Sequence, residues 1–452
     1  MRLSLRPLTF AILLAGTTAG TAGAADLMQA YEMARQSDPQ LAAAESTRQA
    51  IGENVVQSRA RLLPNITGSA SLTDSRTRGE DLYSRGRSYG LNLSQSLYDH
   101  GNYTSLSAAR LRRDQADADY KAAADNLVVR VADAYFNVLT AIETLASSRA
   151  EERSVKRQLD QAEKRLEVGL APITDVHEAR ARYDTARANA IAAATALDDS
   201  REALAEITGE PLENLRGLSP DYKPVNTEEL AGQDWVAIAT ERNPTLLSRE
   251  LALAAAERDI ATARSGHLPS LGLTASIGDE AGWQNQFPGG PNTSGGGSTV
   301  GVTLSVPIFN GFATQSGVRQ AVDYRDVAAD QLEQQRRAVV RQTRNAQRSL
   351  SAGEAEVEAR RLSVVSAQAA YEASEAGLEV GTRTIVDVLI SQQALFQAQR
   401  EYARSRHAFL VNTLRLKQAA GTIELEDLQE VNAVLVADAE ASLAADANGT
   451  AE

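Results

Sequence analysis

Val380-Gly381-Thr382-Arg383-Thr384-Ile385-Val386-Asp387-Val388-Leu389 separates two long stretches poor in glycine and proline. An earlier stretch, Val168-Gly169-Leu170-Ala171-Pro172-Ile173-Thr174-Asp175-Val176-His177, aligns with it at a constant offset of 212 residues. Asp175 falls on Asp387 and Val176 on Val388. In each stretch a glycine closes one helical pattern and another opens a few residues later, so a helical hairpin is written twice.

Working outward, Asn102 to Val168 holds no Gly or Pro for 67 residues. A continuous helix of that length reaches about 100 Å. Val128, Val131, Tyr135, Val138, Ile142 and Leu145 keep a 3-4 spacing that returns at Val155, Leu159, Ala162 and Leu166, a coiled-coil seam. Ser148 and Glu152 interrupt it, which predicts a local change of partner or exposure. Ile173 to Thr208 is a return arm in which 11 of 36 residues are alanine, stopped by Gly209-Glu210-Pro211. Residues 312–380 make a second long run broken by Gly317, Gly353 and Gly377, and Thr382 to Ala420 a second return arm ended by Gly421.

Before each long run lies a pair of alternating segments. Ile66, Gly68, Ala70 and Leu72 pair with Tyr89, Leu91, Leu93 and Leu97; Leu271, Leu273, Ala275 and Ile277 pair with a run from Val300 to Ile308. This period of two predicts four strands of about ten residues. Polar residues 73–87 and glycine-rich residues 278–297 are read as their loops. Asn243-Pro244 repeats Asp38-Pro39, and Leu268-Pro269 repeats Leu63-Pro64. The expected layout is a first repeat over 25–209 with its hairpin at 65–98, a connector over 210–240, and a second repeat over 241–421 with its hairpin at 270–309. A segment over 422–437 and a disordered tail over 438–452 complete it.

Residues 1–24, with Arg2, Arg6, an apolar Leu8–Ala15 core and Ala22-Gly23-Ala24, read as a secretory signal peptide. The net charge is −13, and about −15 without them. That balance argues against nucleic acid. Zero cysteines exclude disulfides and thiolate metal sites. His100, His177, His267 and His407 lack metal-ligand spacing, and no nucleophile-elbow, zincin or P-loop motif occurs. No enzyme activity, metal or cofactor is expected. No apolar run is long enough for a transmembrane helix.

An exported chain of this kind with ten-residue strands suits an outer-membrane barrel, but four strands cannot close one, and open edges in lipid cost several kcal/mol per unpaired backbone group. The barrel is therefore shared between copies, three copies giving twelve strands. Tyr98 and Phe309 at one strand end, and Tyr83, Trp283 and Phe287 near the other, are placed to form interfacial aromatic belts. Helices of about 100 Å exceed the bilayer, so they project from it with the Gly169 and Gly381 turns towards the far end. Thr384 and Asp387 fit a capping box, and their counterpart Pro172 suits a first helical residue. Arg383 opposes the dipole of the helix it precedes and calls for a compensating acid.

Asp26-Leu27-Met28-Gln29-Ala30-Tyr31, Ala134-Tyr135-Phe136-Asn137-Val138-Leu139, Ile173-Thr174-Asp175-Val176 and, above all, Val380 to Leu389 make the chain resemble the TolC family of outer-membrane channel proteins over nearly its whole mature length. The resemblance implies a membrane β-barrel plus a long α-helical barrel: a homotrimer with a twelve-stranded barrel, a twelve-helix periplasmic tunnel, and an equatorial region built from the connector and the C-terminal segment. It implies an exit duct for tripartite efflux pumps or type I secretion, partnered by a periplasmic adaptor (membrane fusion) protein and an inner-membrane ABC or RND-type transporter. By the same resemblance, Asp387 forms a cation-selective ring at the tunnel mouth, where mutual repulsion raises its pKa. Arg383, Asp175, Thr174 and Lys164 form the gate latch. Val168, Gly169, Leu170, Val380, Gly381 and Thr382 dock the adaptor. Three positions depart from the family pattern: Leu378 replaces a gate tyrosine, Lys164 a gate glutamine, and Ile390 a second mouth acid. One carboxylate ring and a thinner latch are expected. The alternative is a structural coiled-coil envelope protein without transport.

Overall fold

The computed structural model describes residues 25–76, 83–219, 222, 233–284 and 293–439. The signal peptide, Phe287 and residues 440–452 lie outside them.

Helix α1 (Leu27–Ser37) and α2 (Pro39–Ala60) meet at Asp38, which ends one and N-caps the other by accepting from the Leu41 amide at 2.8 Å. Pro39 fits there because a first helical residue needs no amide donor. Strands β1 (Asn65–Arg76) and β2 (Tyr83–Tyr98) follow. The long helix α3 (His100–Glu167) turns at Gly169 into α4 (Ile173–Thr208). After β3 (Arg216–Leu218) come α5 (Trp235–Arg242), α6 (Pro244–Arg264), β4 (Ser270–Gln284) and β5 (Thr293–Ser305). A second long helix, α7 (Ala313–Glu379), turns at Gly381 into α8 (Ile385–Ala420). The chain closes with α9 (Leu425–Ala433) and β6 (Leu435–Asp438). No helix among the described residues is long and apolar enough to cross a membrane.

The four long strands form one antiparallel sheet in the order β1-β2-β4-β5. Its register sorts side chains cleanly. Ile66, Leu93, Ala275 and Val300 stand in one row across the sheet, and the next row is Thr67, Asn92, Ser276 and Thr299. One face is thus apolar and exposed, with Ile66, Leu91, Ile277 and Val300 all more than half accessible, and the other is polar. The strands outrun the expected ten residues: ladder pairing continues through polar 73–76 and 83–87 and through glycine-rich 278–284 and 293–297. Backbone hydrogen bonds need no apolar side chain, so alternation fades before the strand does. The fourth strand is shorter at its far end than expected. It stops at Ser305, because Pro307 has no amide to donate and restricts Val306.

The main core lies midway along the long helices. It gathers α1, the centre of α3, the upper part of α4, β3, α9, β6 and the end of α8 around Leu27, Tyr135, Phe136, Leu204, Leu414 and Leu428. Tyr135 is fully buried, and its hydroxyl donates to the carbonyls of Arg216 at 2.8 Å and Ala25 at 3.1 Å. The first described residue is thereby tied to a connector that was expected to be irregular. β3 pairs with β6, so Asp438, read from sequence as the start of a tail, is held in a two-stranded ladder with Arg216. The seam interruption at Ser148 also has a structural reason. Ser148, Glu151 and Ser154 are buried against α8, where Arg400 bonds Glu151 at 2.8 Å and Gln392 donates to Ser154 at 2.6 Å. The seam continues there with polar pairs instead of apolar knobs.

Candidate functional site

The two helical turns share one backbone geometry. At the first, Val168 ends α3, Gly169 adopts φ +75°, the Gly169 amide donates to Leu166 and the Leu170 amide to Arg165. At the second, Gly381 has φ +77°, its amide donates to Leu378 and that of Thr382 to Gly377. Both are Schellman closures, in which the left-handed residue turns the last carbonyls onto chain amides. The turns are held at one level by an apolar cluster joining Val155, Leu159 and Ala162 of α3, Val176 and Ala179 of α4, and Ile385 and Leu389 of α8. Leu378 packs against this cluster, so the side chain at that position serves the tip's core. Val168, Leu170 and Val380 project from the tips at 68%, 75% and 75% exposure, with nothing among the described residues to cover them.

The start of α8 carries the expected capping box. Asp387 accepts from the Thr384 amide at 2.9 Å and its hydroxyl at 2.8 Å, while the Asp387 amide donates back to Thr384 Oγ1 at 3.3 Å. The Thr384 amide, then its hydroxyl, then the Arg383 guanidinium hold the Asp387 carboxyl below the usual carboxylate range. Repulsion within a ring of three copies would act against this. The first turn differs: Pro172 is the N-cap itself, one place before the first helical position expected for it, and Asp175 stands in the first turn of α4.

The structure does not join the expected latch residues within one chain. Among the described residues no ion pair links Arg383 to Asp175, and Lys164 stands exposed in the last turn of α3. The Arg383 side chain instead lies along Gly377, where an added Cβ would meet Arg383 Cγ at 2.6 Å. Thr174 and Ile390 are exposed, the latter at 51%. Glu151, read from sequence with Glu152 as a solvated helix face, is instead buried at 6% exposure and paired with Arg400, and sequence reasoning overlooked Arg400, Ser154 and Gln392, which with it tie the two helical hairpins together above the tips. Their signal was present, since Glu151, Ser154 and Gln158 keep the seam's spacing with polar residues. Among the described residues no group of side chains is arranged to hold a metal ion.

The helix-ending glycines offer a test of local geometry. An added Cβ at Gly381 meets nothing within 4 Å, whereas at Gly421, also left-handed at φ +70°, it would meet Arg242 O at 2.6 Å and Asn243 Cα at 2.7 Å. Gly381→Ala should cost about 1 kcal/mol of backbone strain alone. Gly421→Ala adds a clash with rigid backbone and should cost about 2–3 kcal/mol. Thermal melts of the two variants check the contrast; equal shifts would contradict it.

The outer membrane efflux protein family model matches residues 30–210 and 235–422. The outer membrane protein TolC of Vibrio cholerae is 38% identical over 428 residues, covering 93% of this chain and 96% of that one. The alkaline protease secretion protein AprF of Pseudomonas aeruginosa is 28% identical, covering 91% and 87%. Among solved structures, the CmeC outer membrane channel of Campylobacter jejuni superposes with a TM-score of 0.75 at 19% identity, covering 96% of this chain and 98% of that one.

Proposed function

The chain belongs to the outer membrane efflux protein family, and from that premise we propose that three copies assemble into one duct through the outer membrane. The protein resides in the outer membrane and serves as an exit duct of efflux or secretion systems. The observation that carries the trimer is the four-stranded sheet with an apolar face and two unpaired edges, β1 and β5. Edges cannot stay open in lipid, and three such sheets supply twelve strands for a closed barrel. The apolar face then meets lipid and the polar face lines the lumen. Each chain contributes α3 and α7, with α4 and α8 beside them, to a helical tunnel reaching into the periplasm. Two structural repeats per chain, 25–209 and 241–421, account for the paired elements, and the connector with residues 422–437 forms an equatorial belt.

At the tunnel mouth Asp387 from three copies forms the cation-selective ring. Arg383, Asp175, Thr174 and Lys164 form the latch between neighbouring chains, since one chain does not close it. The exposed tips at Val168–Leu170 and Val380–Thr382 receive a periplasmic adaptor that couples the duct to an inner-membrane transporter of ABC or RND type. Recordings in planar bilayers should show discrete cation-selective openings blocked in a single step by trivalent cations. Asp387→Ala should abolish that block; unchanged block would sink the ring, and absence of any openings would favour a structural envelope protein. Gly381→Ala adds a methyl group where the chain itself has open space, so Gly381→Val tests docking: export should fail while trimers persist, and normal export would remove the tip from that role.

A further inference from the structure

The helices of one chain leave two flanks uncovered. α3 is covered by α2 and α4 on one flank and by α6 and α8 on the other, while among the described residues α7 packs mainly on α5, α6 and α8. The free flanks are the outer side of α7 and the side of α4 turned away from α3. The sheet repeats this order. β1, which follows α2, forms one open edge, and β5, which precedes α7, forms the other. A head-to-tail ring therefore sets α7 of one chain beside α2 and α4 of the next.

These two flanks carry opposite charge. On α7, Arg337, Arg341, Arg344 and Arg348 recur at 4-3-4 spacing, opposite the buried Val339, Thr343 and Leu350. All four are exposed. Arg337 pairs with Glu333, but among the described residues no ion pair or hydrogen bond reaches Arg341, Arg344 or Arg348. Like charges three and four residues apart oppose the helix that carries them. On α4, Asp199, Glu202 and Glu206 form the matching stripe, opposite the buried Ala193, Leu197 and Leu204. They too are exposed, with no counter-ion in the chain among the described residues. Towards the tips both stripes become small or apolar and stay exposed: Ala352, Ala355 and Leu362 on α7, and Thr195, Ile191 and Ala188 on α4.

The heights agree. Leu166 and Leu378 pack on one cluster, so the two turns lie at one level. At 1.5 Å per residue, Arg348 stands about 46 Å above the end of α7 and Glu202 about 44 Å above the start of α4. Arg344 and Glu206 stand at about 52 Å and about 50 Å.

We propose that the Arg341–Arg348 stripe of α7 docks on the Asp199–Glu206 stripe of α4 in a second copy of this chain, Arg348 beside Glu202 and Arg344 beside Glu206. This rests on the shared-barrel reading and adds the faces and register that join the copies. The match closes a ring in one sense only, because the cationic flank of each chain fits the anionic flank of the next and repels its own kind.

The chain has no cysteine, so introduced thiols are the only ones present. Glu202→Cys combined with Arg348→Cys, treated with a short bismaleimide in detergent, should yield a covalent species of three chains on a denaturing gel. Neither single variant should do so. Glu202→Cys with Arg337→Cys, displaced by about 16 Å along α7, should link far less. Arg344→Glu with Arg348→Glu should lower trimer recovery roughly tenfold, and adding Glu202→Arg with Glu206→Arg should restore it. Native mass spectrometry of the uncrosslinked protein separates the possible failures. Trimers that do not link at 202 and 348, or that ignore the charge swap, overturn the docking register. Monomers throughout overturn the shared barrel itself.

Discussion

Lowering the pH from 6.5 to 3 should cost each chain about 4 kcal/mol through His407 alone. His407 sits on α8 at 2% exposure, against Phe136 with ring centroids 5.6 Å apart. Its Nδ1 lies 2.8 Å from Thr140 Oγ1, whose own hydroxyl donates to the Phe136 carbonyl. The network thus assigns the proton to Nδ1, making Thr140 the acceptor. Nε2 has no hydrogen-bond partner among the described residues; Glu143 Oε1 is 3.6 Å away. Burial, and then the neighbouring Arg406 cation, push the imidazole down to about 3. The unfolded chain takes up this proton near pH 6.5 and the folded chain does not until about pH 3, so acid favours unfolding throughout that window. The loss runs at about 1.4 kcal/mol per pH unit. Glu143 acts in the opposite sense: burial raises its pKa, partly offset by Arg406, so it gains a proton in the fold first. Subtracting the pH dependence of thermal melting of His407→Gln from that of the parent protein isolates the histidine. Parallel curves between pH 6.5 and 3 would show that His407 ionises freely in the fold.

Asp38→Ala should be the most damaging single substitution at the junction of α1 and α2, at about 4 kcal/mol. Asp38 is 3% exposed, caps α2 through Leu41, and is gripped by Arg130 of α3 at 2.6 Å and 3.2 Å. Losing the cap costs about 1 kcal/mol. Leaving Arg130, whose side chain is only 22% exposed, without its partner costs about 3 kcal/mol, the lower end for a buried pair because some water reaches it. The matching position Asn243 caps α6 through the Thr245 amide at 3.0 Å and donates to the Ala419 carbonyl at 2.9 Å, using neutral hydrogen bonds. Asn243→Ala should therefore cost less, about 2 kcal/mol. Comparing the two melting temperatures decides the matter; an Asn243 variant as unstable as the Asp38 variant would show that the charge contributes nothing.

What could be read directly from the residues follows from period and punctuation. Freedom from Gly and Pro between Asn102 and Val168 gave α3, and Asp38-Pro39 and Gly169 marked a break and a turn, because these residues act on their own backbone. The alternation of Ile66 to Leu72 gave a strand but not its length, since the ladder beyond Leu72 is held by main-chain bonds that leave no mark on composition. β3 and β6 are three and four residues long and pair across most of the chain, so local pattern holds no trace of them. At the tips the Thr384–Asp387 box was legible because both partners lie within one turn. Among the described residues the expected Arg383–Asp175 ion pair is not made within one chain, so no local pattern records it.

The two open edges of the sheet bear on how the protein reaches its place. A solitary chain carries twelve- and thirteen-residue strands at β1 and β5 with one side unsatisfied, so lipid rejects it as firmly as water rejects its apolar face. On the proposed shared barrel, insertion waits for company. Its rate should rise more steeply than in proportion to chain concentration, and a scarce chain should accumulate in the periplasm as an unfinished sheet, open to pairing with any edge it meets.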